Sequence, residues 1–191
     1  MHDFYSRRAL ILFLAPLLTA GCVLGQTPKK EPDVPYVPTT DEAVAAMLDL
    51  AGVQKNDIVY DLGCGDGRIV VTAARKFGAR GVGIDINPVR IKEAQENAKR
   101  NGVEHLARFV EKDLFEADIK EATVVSLFLL SHINLKLKPK LMRDLKPGTR
   151  IVSNTFDMGD WKPEKEFTVG LRDDEDSFLS RRLFLWTIPK Q

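Results

Sequence analysis

The sequence predicts an α/β fold: a doubly wound sheet of seven strands, mostly parallel, finished by a C-terminal antiparallel hairpin. Three observations predict it. Short apolar runs alternate with amphipathic stretches from residue 41 to residue 156, the pattern of helices laid over a parallel sheet. The run ATVVSLFLL, residues 122–130, is nearly all apolar, as a strand buried on both faces reads. The last two apolar runs, EFTVGL and RRLFLWTIP, are separated by the acidic stretch RDDEDS and no helical pattern. A link that short favours antiparallel pairing.

The elements follow in order. TDEAVAAMLDLAG is a helix with Thr40 at the cap, Val44, Met47, Leu48 and Ala51 at helical spacing, and Gly52 as the stop. DIVYDLG is a short buried strand, and DGRIVVTAARKFG a helix closing at Gly78. RGVGIDI is the second strand. NPVRIKEAQENAKRNG is a helix with Pro88 in its first turn and Gly102 past its end. ARFVEKDL is the third strand and ATVVSLFLL the fourth. NLKLKPKLMRDLKPG holds a helix whose start Pro139 restricts. TRIVSNTF is the fifth strand, and the hairpin supplies the sixth and seventh.

The chain has 191 residues, enough for one domain of this size. A formal charge of +1 gives no field that would hold nucleic acid by phosphate neutralisation. No nucleic acid partner is expected, and a monomer is. The first residues are different in kind. Arg7 and Arg8 precede ALILFLAPLLTA, an apolar run of twelve residues, whereas a spanning helix needs about 20. TAGC then ends at Cys22, in the style of a secretory signal. It also resembles a lipoprotein box, with Thr19 where Leu is usual. Residues 1–21 are therefore expected to be a signal peptide or membrane anchor, with lipidation of Cys22 one outcome. Proline-rich residues 22–34 are expected to be a tether and residues 35–191 the folded domain. The protein would be membrane-associated in a bacterium, on a side the sequence does not fix.

The chemistry centres on YDLGCGDGRI, residues 60–69. In a sheet of this kind, a Rossmann-like one, ligands bind beyond the carboxyl ends of the strands near the first strand. Gly63 and Gly65 lack a Cβ, so a ligand can approach the backbone. A dinucleotide loop would read G-x-G-x-x-G, but Arg68 stands at the third glycine. Asp61 before the loop suits an ammonium better than a pyrophosphate. No G-K-[ST] follows, which excludes a P-loop. Asp85, at the end of the second strand, can accept bonds from two ribose hydroxyls. Asp113 ends the third strand, with Leu114 after it, where an adenine edge would lie; a helix cap is the alternative for Asp113.

VYDLGCGDGRIVVTAAR, GVGIDINPVR and FVEKDLF resemble the successive cofactor motifs of class I, seven-strand S-adenosyl-L-methionine methyltransferases. YVPTTDEAV, LMRDLKPGTRIVSNTFDMGDWKPE and LFLWTIP are similar to a smaller bacterial, archaeal and mitochondrial group. Its mitochondrial members are membrane-anchored protein-lysine N-methyltransferases. The resemblance implies S-adenosyl-L-methionine as cofactor. It sets Asp61, Gly63 and Gly65 against the methionine part, Asp85 on the ribose, and Asp113 with Leu114 beside the adenine. Thr39 and Thr40 would enter the pocket from the preceding segment, and they read equally as a helix cap. The acceptor side should follow the fourth strand, where LLSHIN replaces the N-P-P-Y of amino methylases of bases and glutamine. Ser131 and His132 are the candidates there, His132 as a base or a surface residue; Asn154, after the fifth strand, could also face the acceptor, and no metal is expected. Trp161 could wall the acceptor mouth or pack on the sheet. Two rival classes stay open: a non-catalytic module that binds S-adenosylmethionine, and an NAD-linked oxidoreductase.

Overall fold

The computed structural model describes residues 36–169 and 181–190. The leader, the tether and the RDDEDS stretch lie outside them. One sheet organises the rest, with strand order β3-β2-β1-β4-β5-β7-β6. Strands β1 (Ile58–Leu62), β2 (Arg80–Asp85), β3 (Ala107–Glu111), β4 (Val124–Leu127) and β5 (Arg150–Asn154) are parallel. Strand β7 (Arg181–Thr187) lies antiparallel between β5 and β6 (Lys165–Val169). The expected hairpin is present, and its second strand is the one that joins the parallel body. Because β1 sits between β2 and β4, the winding reverses beside it. The carboxyl end of β1 is therefore the switch point, where a crevice opens.

Strand periodicity sorts the core into two layers, since successive side chains point to opposite faces. On one face Val59, Val124, Val152 and Leu183 meet Val44, Met47 and Leu48 of α1 (Asp41–Leu50) and Ile69 and Ala73 of α2 (Arg68–Phe77). Helix α3 (Pro88–Arg100) extends this layer through Ala94 and Ala98 against Val70 and Phe109. On the other face Tyr60, Val125, Ile151 and Phe184 lie with Leu137 and Leu141 of α4 (Ser131–Asp144). Each such fully buried side chain is worth about 1.5–3 kcal/mol in apolar transfer. At the amino ends of the strands, Thr123 Oγ1 donates to Asp57 over 2.7 Å and the Arg150 guanidinium pairs with the same carboxylate. Strands β1, β4 and β5 are thereby tied at the end away from the crevice.

Three boundaries differ from expectation. Helix α4 begins at Ser131 and continues past Pro139 to Asp144. The proline is exposed, so the Leu135 carbonyl that loses its N–H partner faces the solvent side of the helix. Strand β3 ends at Glu111, so Asp113 and Leu114 lie in the turn after it rather than at its end. Strand β4 stops at Leu127, and Phe128, Leu129 and Leu130 leave the ladder to line the crevice.

Candidate active site

The loop after β1 is anchored before any ligand is considered. Gly63 and Cys64 N–H groups both donate to the Ile84 carbonyl, over 2.8 and 2.9 Å, and Gly67 N–H donates to the Cys64 carbonyl over 2.8 Å. Gly67 has φ 74°, and a Cβ there would fall 2.6 Å from the Phe109 ring and 2.8 Å from Ala94 Cβ. Its role is close packing of α2 on α3 and β3, not ligand contact. Cys64 is buried, and burial beside Asp61 pushes its thiol well up, which suits a packing residue rather than a nucleophile.

The loop borders a cavity of about 660 Å³ at the carboxyl ends of β1, β2 and β4. Asp61, Gly63, Asp85, Asp113 and Leu114 line it, and Thr39 joins from the segment before α1. Asp61 is buried, with Ser126 Oγ donating to it over 2.8 Å. Burial pushes its carboxyl up to about 7; the Ser126 bond opposes that, and the Asp85 and Asp66 charges add to it. Such a group gains most from a cation placed against it. Asp85 is set differently. Gly65 N–H and Asn87 N–H each donate to one of its oxygens over 2.9 Å, which fixes the carboxylate's plane. Each oxygen keeps lone pairs for a vicinal diol.

Arg68 shows why a pyrophosphate fits poorly. Its guanidinium forks onto Asp66, with contacts of 2.9 and 2.6 Å, and its third nitrogen donates to the Thr39 carbonyl over 2.6 Å. The Asp66 carboxylate thus already occupies the amino end of α2, the place a phosphate would take. The same guanidinium thereby ties the Thr39 carbonyl, in the segment before α1, to the start of α2.

The remaining sequence candidates divide. Thr40 caps α1, its Oγ1 accepting from Ala43 N–H over 3.3 Å, and is not part of the cavity lining. Gly65 is covered: a Cβ there would lie 2.3 Å from the Tyr36 ring, so the close neighbour its missing side chain admits is protein. Ser131 and His132 open α4 outside the cavity lining, His132 being exposed. Asn154 is fully buried, outside that lining, and accepts from Thr155 Oγ1 over 2.9 Å. Trp161 packs 5.9 Å from the Trp186 ring, whose Nε1 donates to its carbonyl over 2.8 Å, so it belongs to the sheet face. Sequence reasoning missed Tyr36, Arg90, Phe128, Thr155, Phe156 and Arg181, all of which line the cavity. Among the described residues no group of three His, Cys, Asp or Glu could hold a metal.

A buried carboxylate that needs a cation, a diol-binding carboxylate on the next strand and a blocked phosphate position fit S-adenosylmethionine. Comparison with known proteins agrees. Residues 61–165 match a family described as the ANTKMT methyltransferase domain. The chain belongs to this family. It is 49% identical over 158 residues to a protein-lysine N-methyltransferase of Saccharolobus islandicus, covering 82% of this chain and 95% of that one. It is 35% identical over 131 residues to the adenine nucleotide translocase lysine N-methyltransferase of Mus musculus, and the match spans 56% of that protein's length and 68% of its own. A crystal structure described as an RNA methyltransferase from Salinibacter ruber with S-adenosyl-L-homocysteine superposes with a TM-score of 0.74 at 52% identity, covering 81% of this chain and 95% of that one.

This family member is an S-adenosylmethionine-dependent methyltransferase with the Rossmann-like fold of its class, and the oxidoreductase and non-catalytic readings fall away. Besides the carboxylates and the cationic Arg68, Arg90, Lys112 and Arg181, the cavity has Ile84, Leu129 and Ile133 in its wall. A dry wall favours collapse of a sulfonium, because charge disperses as the methyl leaves.

Proposed function

We propose that this methyltransferase acts on lysine amines of protein. The observation that carries the reading is the 49% identity to a protein-lysine N-methyltransferase over 95% of that relative's length. The cavity supports it from the residues up. Asp61 would hold the methionine ammonium, Asp85 the ribose, and Asp113 with Leu114 the adenine. Thr39, Gly63 and the Tyr36 ring over Gly65 would shape the same end. Leu129, Phe128, Thr155 and Phe156 also line the cavity, and the apolar ones suit an unbranched aliphatic stem.

Bound S-adenosylmethionine supplies a methyl group on sulfur: the nitrogen–carbon bond forms as the carbon–sulfur bond breaks, and the electron pair stays on sulfur. The acceptor must arrive as a neutral amine. Arg181 lines the cavity with its guanidinium 5.7 Å from the Phe128 ring centroid, and a like charge near the acceptor favours the neutral amine over the ammonium. The protein's contribution is alignment and exclusion of water, with no dedicated acid or base.

The test is transfer from methyl-labelled S-adenosylmethionine into a cell extract. The reading expects label that survives nuclease, is released by protease and runs as methyl-lysine after hydrolysis. Label lost to nuclease would move the acceptor to RNA, as the description of the Salinibacter relative would suggest. The apolar run at 9–20 and Cys22 support a second proposal, that the protein sits at a membrane. Recovery of the full-length protein in the soluble fraction of its host would refute that. Among the described residues no helix is long and apolar enough to cross a membrane.

A further inference from the structure

We infer that the Thr155 hydroxyl binds the acceptor amine, taking an N–H bond that turns the nitrogen lone pair toward the methyl group. The inference rests on the lysine reading and names the residue that would meet the nucleophile.

Thr155 follows β5 with φ 68°, and is the non-glycine residue with positive φ among those described. A β-branched residue in that region is a true outlier, worth about 1–3 kcal/mol of strain. Glycine or asparagine would make the same turn at lower cost. A threonine there brings a hydroxyl to the turn at that cost.

The surroundings hold the strained turn in place. Thr155 N–H donates to the Arg182 carbonyl over 2.6 Å, and Phe156 N–H to the Asn154 carbonyl over 2.8 Å. Ser153 Oγ donates to the Phe156 carbonyl over 2.6 Å, and Asn134 Nδ2 to the same carbonyl over 3.2 Å. The turn is thus clamped from β7, from β5 and from α4.

The hydroxyl itself is polarised in one direction. Its hydrogen goes to Asn154 Oδ1 over 2.9 Å, and Asn154 is buried. A threonine hydroxyl has one hydrogen and two lone pairs. With the hydrogen spent on Asn154, Oγ1 has acceptor capacity left for a ligand in the cavity that Thr155 lines. A neutral primary amine offers two N–H bonds and one lone pair. Holding one N–H on Oγ1 orients that lone pair. The Phe128 and Phe156 rings, stacked with centroids 6.0 Å apart, line the same cavity and offer apolar surface for the methylenes.

Thr155→Val, Thr155→Ser and Thr155→Gly test this. Valine keeps the branching and the strain but replaces the hydroxyl by a methyl, and it takes from the buried Asn154 amide, whose Nδ2 has no partner among the described residues, the bond to its Oδ1, so the melt is read beside the activity. Each variant is assayed with methyl-labelled S-adenosylmethionine and a dilution series of protein extract, counting methyl-lysine. Binding of S-adenosylhomocysteine and thermal stability are measured alongside. Thr155→Val should lose about tenfold or more in kcat/KM, the scale of one lost hydrogen bond to the reacting group, with S-adenosylhomocysteine affinity unchanged. Thr155→Ser should stay within about threefold of wild type. Thr155→Gly should melt higher, because the strain is relieved, yet be as impaired as valine. Wild-type activity in Thr155→Val or Thr155→Gly overturns the inference, as does a loss matched by weaker S-adenosylhomocysteine binding. A wild-type protein that labels no lysine brings down the substrate reading first, and this inference with it.

Discussion

Asp61 faces opposed demands from folding and from binding. Its carboxyl, pushed up to about 7 by burial, favours the protonated form in the folded protein. The folded state then binds more protons than the unfolded chain between the ordinary carboxyl range and about 7. Asp61's contribution to stability is therefore complete at low pH and is lost as pH rises through about 7. A ligand ammonium requires the ionised form. Affinity for S-adenosylhomocysteine should accordingly fall below about pH 7, approaching tenfold per pH unit at the limit. Asp61→Asn should melt higher than wild type above pH 7, bind the ligand more weakly and lose the pH dependence. Calorimetry from about pH 5.5 to about pH 8 checks this, and a flat affinity in the wild-type protein would contradict the role given to Asp61. The carboxylates of this site were legible in the sequence because loop and strand ends place them locally. Thr155 was not. Its positive φ is imposed by the Arg182 carbonyl and the Asn134 amide, partners that no local pattern around residue 155 announces.

At the scale of elements, periodicity and caps worked where local preference and packing agree. Helix α3 starts on Asn87 and Pro88 and ends beside Gly102, where the sequence places it. Helix α4 shows the limit. Pro139 suggested a later start, yet the helix spans Ser131–Asp144 because Ile133, Leu137 and Leu141 bury against the sheet. Tertiary burial outweighed one missing N–H. Pro139→Ala should restore the bond to the Leu135 carbonyl and stabilise the protein by about 1–2 kcal/mol, after allowing for the freer unfolded chain. Denaturant unfolding measures it, with no change expected in ligand affinity. A loss of stability would mean that the proline itself is needed. Strand β4 is the reverse case: the apolar run continues through Leu130, but pairing stops at Leu127. Phe128 and the two leucines after it are apolar because they line a cavity, and a hydropathy pattern does not separate that from a buried strand.

At the scale of the molecule, the alternation of strand and helix foretold the parallel body and the reversal at β1, and so the location of the cavity. The edge order did not follow from it. That β7 lies inside and β6 outside is set by burial: Leu183, Phe184, Leu185 and Trp186 are all buried, whereas most of β6 is exposed. The central claim is that the crevice beside β1 holds S-adenosylmethionine through Asp61 and Asp85. Titration of S-adenosylhomocysteine and of NAD into the wild-type protein and into Asp85→Ala tests it most directly. The account predicts that wild type binds S-adenosylhomocysteine and not NAD, and that Asp85→Ala keeps a cooperative melt while its affinity falls about tenfold or more, as expected for loss of bonds to a charged group. Binding of NAD by the wild-type protein, or unchanged affinity in Asp85→Ala, would contradict it.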